Sequence, residues 1–225
     1  MEAKHEPFGP HMTLHRRQVL GAALIAGAGL IAPTTLASPV LRNSPSPPPL
    51  PARPARPDMP PALQSALAAL DRNSSRIVHR DRIALADYSQ HSKEMRFMLV
   101  DVAGGRIEKS YLVSHGRGSD PANSGFARQF SNRPGSNASS RGSFLTGETY
   151  VGKHGRSRRL HGLDAENDKA FARAIVIHGA DYVDGEMARR HGRIGRSLGC
   201  FAFERGEIAD VLERLGPGRL LFAAA

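Results

Sequence analysis

The sequence predicts a single mainly-β domain with short helices and long loops, formed by residues 80–225. Hydrophobic residues make up 40% of the chain, which is enough to build a packed core. The chain also contains 23 glycines and 16 prolines. Because glycine and proline interrupt helices and favour turns, this composition favours short strands over long helices. At 225 residues, the chain is long enough for one ordinary domain with additional terminal segments.

The first 37 residues resemble an export signal. Arg16 and Arg17 precede an apolar stretch at residues 21–31, which has the length of a signal-peptide core and is shorter than a membrane span. Small residues follow, and the sequence ending at Ala37 resembles a cleavage site. The paired arginines resemble a twin-arginine signal, which exports proteins that have already folded. We therefore expect an exported protein of the periplasm and cell wall, without a permanent membrane anchor.

Two segments separate this signal from the predicted domain. Residues 38–61 are rich in proline and predict an extended, semi-rigid linker. Residues 62–79 contain Leu63, Leu67 and Leu70, whose spacing predicts a short helical lead-in with one apolar face.

Within the domain, the pattern predicts strands, one long loop and a short helix. Residues 82–88 alternate as a strand, while residues 95–102 and 106–113 flank a pair of glycines and predict a hairpin. Residues 114–142 are rich in Ser, Gly and Asn, and they predict a long surface loop of the kind that handles substrate. Further strands are expected at residues 144–151, 174–177 and 219–222, and a helix at residues 208–215.

The charge of the chain restricts its partners. Its formal net charge is +10, which favours an anionic partner. An exported basic protein meets anionic wall polymers and lipid surfaces rather than the chromosome. We therefore predict no nucleic-acid partner.

One histidine and the single cysteine are the candidates for chemistry. His178 ends an apolar run and precedes Gly179, which we expect to leave room for a cleft. Cys200 is the only cysteine, so it cannot form an intramolecular disulfide. A buried, inert cysteine is the common alternative, although a lone thiol in an oxidising compartment is easily oxidised. The pair predicts nucleophilic acyl transfer, in which His178 takes the thiol proton or the pair rests as thiolate and imidazolium.

The residues before the cysteine fit this chemistry. Gly199 permits a sharp turn, so its N–H and that of the cysteine, with that of Leu198, are candidates for an oxyanion hole. Positive charge from Arg193 and Arg196 would favour the thiolate, although both arginines are equally compatible with simple solvation. Arg196 is also a candidate for binding a substrate carboxylate, and Ser197 for steadying the loop or contacting substrate.

A zinc site is the rival enzyme hypothesis. Its ligands would be His154, His161, His178 and Cys200. Zinc ligands usually come in close pairs such as Cys-x₂₋₄-Cys or in a His-Glu-x-x-His motif, and neither is present. We therefore predict no metal and no cofactor.

A His-Gly pair followed by Ser-x-Gly-Cys resembles the signature of the L,D-transpeptidase catalytic domain family, the YkuD-like fold of peptidoglycan enzymes. Residues 130–136, 146–155 and 173–182 resemble a proteobacterial subgroup of that family, and the resemblance extends over residues 80–222. It implies a compact β-sandwich or barrel-like catalytic fold. The commonest family pattern has histidine where this chain has Leu198. His178 would then be the sole imidazole beside the cysteine, unless a loop supplies His115, His154, His161 or His191.

The resemblance implies a cysteine-dependent acyl transferase that acts on peptidoglycan stem peptides. Cys200 would form a thioester with one stem and pass the acyl group to an amine of a second stem or of an acceptor wall protein. Tyr150, His154 and Gly179 become candidates for substrate contact, because residues 146–150 occupy the position of a cleft-lining strand in the family. Two alternatives stay open, namely an L,D-carboxypeptidase or amide hydrolase at the same site and a non-catalytic cell-wall-binding protein.

Overall fold

The computed structural model describes residues 59–225, so the predicted signal and most of the proline-rich linker lie outside the described residues. This part of the chain contains eight strands and three α-helices. In chain order these are α1 (Pro61–Arg72), β1 (Arg82–Asp87), β2 (Phe97–Asp101), β3 (Arg106–Tyr111), β4 (Gly142–Gly152), β5 (Gly155–Gly162), β6 (Val176–Gly179), α2 (Gly185–His191), β7 (Phe201–Phe203), α3 (Ile208–Leu215) and β8 (Leu220–Ala224). The predicted mainly-β fold is confirmed.

All eight strands belong to one mixed sheet, in the order β3-β2-β1-β8-β4-β5-β6-β7. The β1–β8 and β6–β7 pairs are parallel, and the remaining neighbours are antiparallel. The predicted hairpin is confirmed as β2 and β3, and the predicted carboxy-terminal helix as α3. None of the three helices in residues 59–225 has the length and apolarity needed to cross a membrane.

The two end strands of the sheet approach each other. The N–H of Ser114, just after β3, donates to the carbonyl oxygen of Ala202 in β7 at 2.9 Å. The rings of Tyr111 and Phe203, which lie on these same end strands, have centroids 6.2 Å apart. The sheet therefore curls back on itself into a barrel-like arrangement, in which the two edge strands β3 and β7 lie against each other.

Aromatic side chains fill the interior of this curled sheet. Phe97 and Phe203 meet edge to face at 4.7 Å, and Phe144 and Phe201 do so at 5.4 Å. All four rings are fully buried. Because side chains alternate along a strand, Phe201 and Phe203 point inward while Ala202 faces the opposite side. The aromatic contacts thus tie β2 and β4 to the short strand β7.

Helix α1 covers the other face of the sheet near β1 and β8. Its predicted apolar face is confirmed, because Leu63, Leu67 and Leu70 are buried in one cluster with Leu85 and Leu220. Proline at the first helical position suits the helix start, since no intrahelical partner is needed there for a backbone N–H. Helix α1 therefore packs directly on the sheet.

The predicted loop at residues 114–142 is confirmed as a loop, but parts of it are buried rather than at the surface. Ser114, His115, Ser119, Asp120 and Ser139 are all almost completely buried. Polar sequence suggested exposure, but polar groups can be buried when their hydrogen bonds are satisfied within the protein. This segment is a packed part of the domain.

Arg96 is the centre of that buried polar region. Its guanidinium donates to the carbonyl oxygens of Val113 and Gln90 and to Nδ1 of His115 at 2.7 Å. Since Nδ1 of His115 accepts this bond, its Nε2 carries the proton and faces the Asp120 carboxylate at 3.4 Å. Burial and the neighbouring Arg96 lower the pKa of His115 to about 4, so the imidazole is neutral and Arg96 and Asp120 provide the charges.

Three elements were not predicted from the sequence. Strand β5 is rich in arginine and reads as polar, yet its Arg158 is buried and donates to backbone oxygens of Gly147 and Leu212. Strand β7 has only three residues. Helix α2 carries recognisable signals, since the Asp184 side chain caps its first turn and Gly192 ends it in a left-handed conformation.

Replacing Phe203 with Ala should lower the free energy of unfolding by about 3–5 kcal/mol, because a buried ring is lost and a cavity remains. Urea denaturation measures this change. Val151→Ala in β4 is the control, since Val151 is 83% exposed, and it should shift the free energy by less than about 0.5 kcal/mol. Equal effects of the two substitutions would contradict the closure of the sheet around Phe203.

Candidate active site

The parallel pairing of β6 with β7 brings the predicted histidine and cysteine together. Ile177 pairs with Phe201, and His178 pairs with Ala202. Cys200 immediately precedes β7, two residues before Ala202, so extending the alternation of β7 by one residue puts its side chain on the same side as His178. Both side chains lie on the face opposite the aromatic core.

The His178 ring is oriented by its own backbone and by a second imidazole. Its Nδ1 lies 2.9 Å from the carbonyl oxygen of Gly179, which can only accept a hydrogen bond. Nδ1 therefore carries the proton, and Nε2 has a free lone pair. The ring stacks on His154, with centroids 4.2 Å apart and an interplanar angle of 22°. Burial, with smaller effects from His154, Arg205 and Lys153, lowers the pKa of His178 to about 4.

Burial and a hydrogen bond favour the protonated form of the Cys200 thiol. Its Sγ donates to the carbonyl oxygen of Ala174 at 3.5 Å. Burial raises the pKa of the thiol above its ordinary value, while the backbone N–H of Val176 and the charges of Arg173 and Lys153 act in the opposite direction. With a low pKa for the imidazole and a high one for the thiol, the geometry favours a neutral thiol–imidazole pair over thiolate and imidazolium.

Only glycine fits directly before Cys200. Gly199 has a φ of +117°, and a Cβ atom there would lie 2.7 Å from the carbonyl oxygen of Ala138. The Ser197 hydroxyl donates to the carbonyl oxygen of Cys200 at 2.7 Å and accepts the Gly199 N–H at 3.1 Å. Ser197 thus steadies this turn. Because the Gly199 N–H is already bonded, an oxyanion hole would need the N–H groups of Cys200 and Leu198, or a shift of the Ser197 hydroxyl.

The turn at residues 197–200 is joined by hydrogen bonds to the buried polar region around Arg96. The N–H of Ser197 donates to the carbonyl oxygen of His115 at 2.9 Å, and the N–H of Arg117 donates back to Ser197 at 2.8 Å. His115 is held in turn by Arg96. The turn that ends at Cys200 is therefore fixed to a hydrogen-bonded interior.

Arg173, rather than Arg193 or Arg196, is the arginine beside the thiol. Its guanidinium donates to the carbonyl oxygens of Ser131 and Ala138 and to the hydroxyls of Ser140 and Ser136, at 2.6–3.2 Å. It ties the loop at residues 131–140 to the start of β6. The sequence showed this arginine at the head of an apolar run but gave no sign of its bonds.

The arginines predicted to favour the thiolate have other contacts. Arg196 donates to the carbonyl oxygen of Asp120, and Arg193 to that of His191 at 3.4 Å. Neither is among the charges that act on the thiol, so that expectation is wrong. The expectation that Gly179 opens a cleft is also wrong, because a Cβ there would lie 3.1 Å from the Ile208 side chain of α3.

The other histidines considered for the site differ in their distance from His178, and only one of them contacts it. His154, at the tip of the β4–β5 hairpin, is the one that contacts His178. His115 is buried, and His161 stacks on Phe171 instead. Tyr150 lies on the site-bearing face, beneath the Arg159 guanidinium. Leu198, beside the cysteine, is 51% exposed and gives the site an apolar border.

Among the described residues, this site has no cluster of metal ligands. Within residues 59–225, no three His, Cys, Asp or Glu side chains are grouped to hold a metal ion. Two cavities of about 330 and about 600 Å³ lie elsewhere, one against residues 128–132 and one against α1 and β8. Neither Cys200 nor His178 lines these two cavities. The site is therefore described by the positions and hydrogen bonds of its side chains.

Residues 58–224 match the family model of the L,D-transpeptidase catalytic domain. No curated protein matches the chain. Among solved structures, an L,D-transpeptidase from Mycobacterium smegmatis is similar, with 13% identity, a TM-score of 0.40, and coverage of 64% of this chain and 59% of that chain. L,D-transpeptidase 3 from Mycobacterium tuberculosis is also similar, with 14% identity, a TM-score of 0.41, and coverage of 64% of this chain and 61% of that chain.

The L,D-transpeptidase from Xylanimonas cellulosilytica gives 16% identity, a TM-score of 0.38, and coverage of 72% of this chain and 76% of that chain. The chain spans about three fifths of the length of the two mycobacterial structures. At these identities and TM-scores, the family model is the stronger finding.

The rate of Cys200 alkylation by iodoacetamide should rise with pH across the neutral range without levelling off. Only the thiolate reacts, and burial holds the thiol pKa above its ordinary value. Arg173→Met should move the profile to higher pH, because a nearby positive charge is lost, whereas Arg173→Lys should move it less. Mass spectrometry measures the rate.

Arg193→Met is the control for this experiment, since that guanidinium does not act on the thiol, and its profile should match the unmodified protein. A plateau below pH 8 in the unmodified protein would show a resting thiolate and contradict the neutral pair.

Proposed function

Because the chain belongs to the L,D-transpeptidase catalytic domain family, we propose that it is an exported peptidoglycan acyl transferase with Cys200 as nucleophile and His178 as base. The observation that carries the proposal is the pairing of β6 with β7, which places both side chains on one face. The protonation of His178 at Nδ1 leaves Nε2 as the proton acceptor. A cysteine nucleophile needs an unprotonated base within hydrogen-bond reach, and Nε2 of His178 is the candidate for that base.

The proposed first step forms a thioester. Nε2 of His178 takes the thiol proton as Sγ attacks the carbonyl carbon of the diamino-acid residue in a stem peptide. The tetrahedral intermediate then collapses, and the imidazolium gives its proton to the leaving amine of the terminal D-amino acid. The bond between that amine and the carbonyl carbon breaks, and the acyl group remains on Cys200.

The second step releases the enzyme. An amine of a second stem, or of an acceptor wall protein, attacks the thioester while His178 accepts its proton. The carbon–sulfur bond breaks, and the thiolate regains a proton from the imidazolium. Water in place of the amine would make the same site an L,D-carboxypeptidase or amide hydrolase.

Substrate binding has to prepare the thiol. At rest, Cys200 donates to the Ala174 carbonyl oxygen, so the thiol has to turn toward His178 before the proton can move. The two pKa values also oppose full ionisation of the resting pair. We therefore place proton transfer together with carbonyl attack, when the negative charge passes to the substrate oxygen.

The charge near the site suits an anionic wall polymer. Lys153 and Arg205 act on the His178 ring, and Lys153 and Arg173 act on the thiol. Stem peptides carry several carboxylates, which these cations attract. A non-catalytic wall-binding protein is the remaining alternative. It would have no use for an unprotonated Nε2 on the same face as a thiol.

Incubation with tetrapeptide-stem muropeptides should yield cross-linked dimers, or tripeptide stems if water is the acceptor, with release of the terminal D-amino acid. Cys200→Ala and His178→Ala should each lower turnover by at least about 10³-fold, since each removes a member of the pair. Mass spectrometry of the products measures this. His191→Ala, at the exposed end of α2, should retain turnover. A folded protein with a free thiol but no turnover or thioester would favour the binding protein.

The export part of the proposal has a separate test. Residues 1–37 fused to a fluorescent protein should carry it, already folded, into the periplasm of a bacterium. Changing both Arg16 and Arg17 to Lys should retain the fusion in the cytoplasm, because the twin-arginine pathway reads that pair. Cell fractionation measures the distribution. Unchanged periplasmic fluorescence in the double variant would contradict the twin-arginine route.

A further inference from the structure

Arg159 lies in line with the nucleophile on the site-bearing face of the sheet. It pairs with Val176 across β5 and β6. The pairing of Ile177 with Phe201 places Cys200 beside Val176 on the other side. Three adjacent strands thus carry Arg159, Val176 and Cys200 in one row. With strands about 4.8 Å apart, the Cα atoms of Arg159 and Cys200 are about 10 Å apart.

The Arg159 side chain is held between two aromatic rings. Its guanidinium carbon lies 4.0 Å from the centroid of the Tyr150 ring and 5.6 Å from that of Phe171. Phe171 is fixed in turn by stacking on His161, with centroids 4.9 Å apart and an interplanar angle of 11°. A Cβ at Gly147 would lie 3.2 Å from the Cβ of Arg159, so the glycine leaves room for this stack. The guanidinium is therefore already ordered before any ligand arrives.

The charge of Arg159 lacks a strong partner within residues 59–225. Its guanidinium makes no hydrogen bond there, and its ion pair is with Glu148, at 3.7 Å, whose side chain is 64% exposed. Such a surface pair contributes little. The neighbouring Arg158, by contrast, donates to two backbone oxygens. Arg159 thus presents several free donors in a planar fork, the geometry that matches a carboxylate.

Phe171 also links this stack to the nucleophile. The N–H of Ala174 donates to the carbonyl oxygen of Phe171 at 3.0 Å, and the carbonyl oxygen of Ala174 accepts the Cys200 thiol. One short segment therefore positions both the aromatic wall beside Arg159 and the resting thiol. A donor stem acylated at Cys200 would have to extend across β6 and β5 to reach the guanidinium, which lies on the β4 side of β5.

We propose that Arg159, ordered by Tyr150 and Phe171, binds a carboxylate of the donor stem peptide that Cys200 attacks, and so selects anionic donors. This inference rests on the proposed function. Two carboxylates of the donor share the required chemistry, one on the terminal D-amino acid and one on the side chain of the diamino-acid residue.

The test compares Arg159→Gln and Arg159→Lys with Arg156→Gln, a control that removes an exposed arginine of the same strand whose side chain faces the other way. The donors are a tetrapeptide stem with free carboxylates, one amidated at the terminal residue and one amidated at the diamino side chain. Arg159→Gln should lower kcat/KM for the free stem by about tenfold to a hundredfold, mainly through KM. Arg159→Lys should lower it less, and Arg156→Gln should leave it unchanged.

The amidated donors identify the carboxylate. Amidation of the bound carboxylate should lower kcat/KM for the unmodified enzyme by a similar factor and remove the effect of Arg159→Gln. Amidation of the other carboxylate should leave the effect in place. Iodoacetamide alkylation of Cys200 should be the same in both proteins, which shows that the nucleophile is intact.

A second measurement does not depend on turnover. Calorimetry of the free stem binding to Cys200→Ala protein, with and without Arg159→Gln, should show a tenfold to hundredfold loss of affinity in the double variant. Equal affinities, or an equal loss for free and doubly amidated stems, would overturn the role of Arg159. Stem binding that depends on Arg159, in a protein that shows no turnover, would overturn the acyl-transfer proposal alone.

Discussion

The register of β6 against β7 is the constraint on which the site depends, because a slip of one residue would turn Cys200 to the face opposite His178. Three residues are very few to hold such a register. Strand β7 gains stability on both sides, from its ladder with β6 and from the bond between Ser114 and Ala202 at the far edge of the sheet. The rings of Phe201 and Phe203 anchor it in the aromatic core. Closure of the sheet thus fixes the position of Cys200.

The resting chemistry of the pair follows from burial. A neutral thiol that donates to a backbone carbonyl is a poor target for oxidants, because the thiolate is the reactive form. Such protection would suit a lone cysteine if the protein is exported, as we propose, into an oxidising compartment. Burial also lowers the basicity of His178. The resting site is therefore less reactive, and its thiol is better protected from oxidation. The Ala174 carbonyl oxygen accepts the hydrogen bond of the thiol. Ala174 itself has a φ of +53°, a conformation that non-glycine residues seldom adopt.

Local pattern predicted much of the fold and the two central site residues. The leucine spacing of α1, the glycine turn between β2 and β3, and the strand ending at His178 are signals that depend on near neighbours in the chain. The buried loop around His115 and the bonds of Arg173 depend on partners far away in sequence. Polar composition made the loop look exposed, and the apolar run that follows Arg173 gave no sign of its bonds. The thiolate-stabilising role predicted for Arg193 and Arg196 failed for the same reason, since closeness in sequence did not give closeness in space.

The position of β8 has a consequence for how the chain folds. This strand follows all the others in sequence, yet it lies in the middle of the sheet, parallel to β1 and antiparallel to β4. Until residues 220–224 leave the ribosome, the sheet exists at most as two separate halves, and the pairing of Ile83 with Leu220 closes a very large loop. Such high contact order predicts slow, post-translational folding of the whole domain as one unit. A chain of this kind would stay unfolded until its last strand is made, and chaperones would have to shield its apolar strands until then.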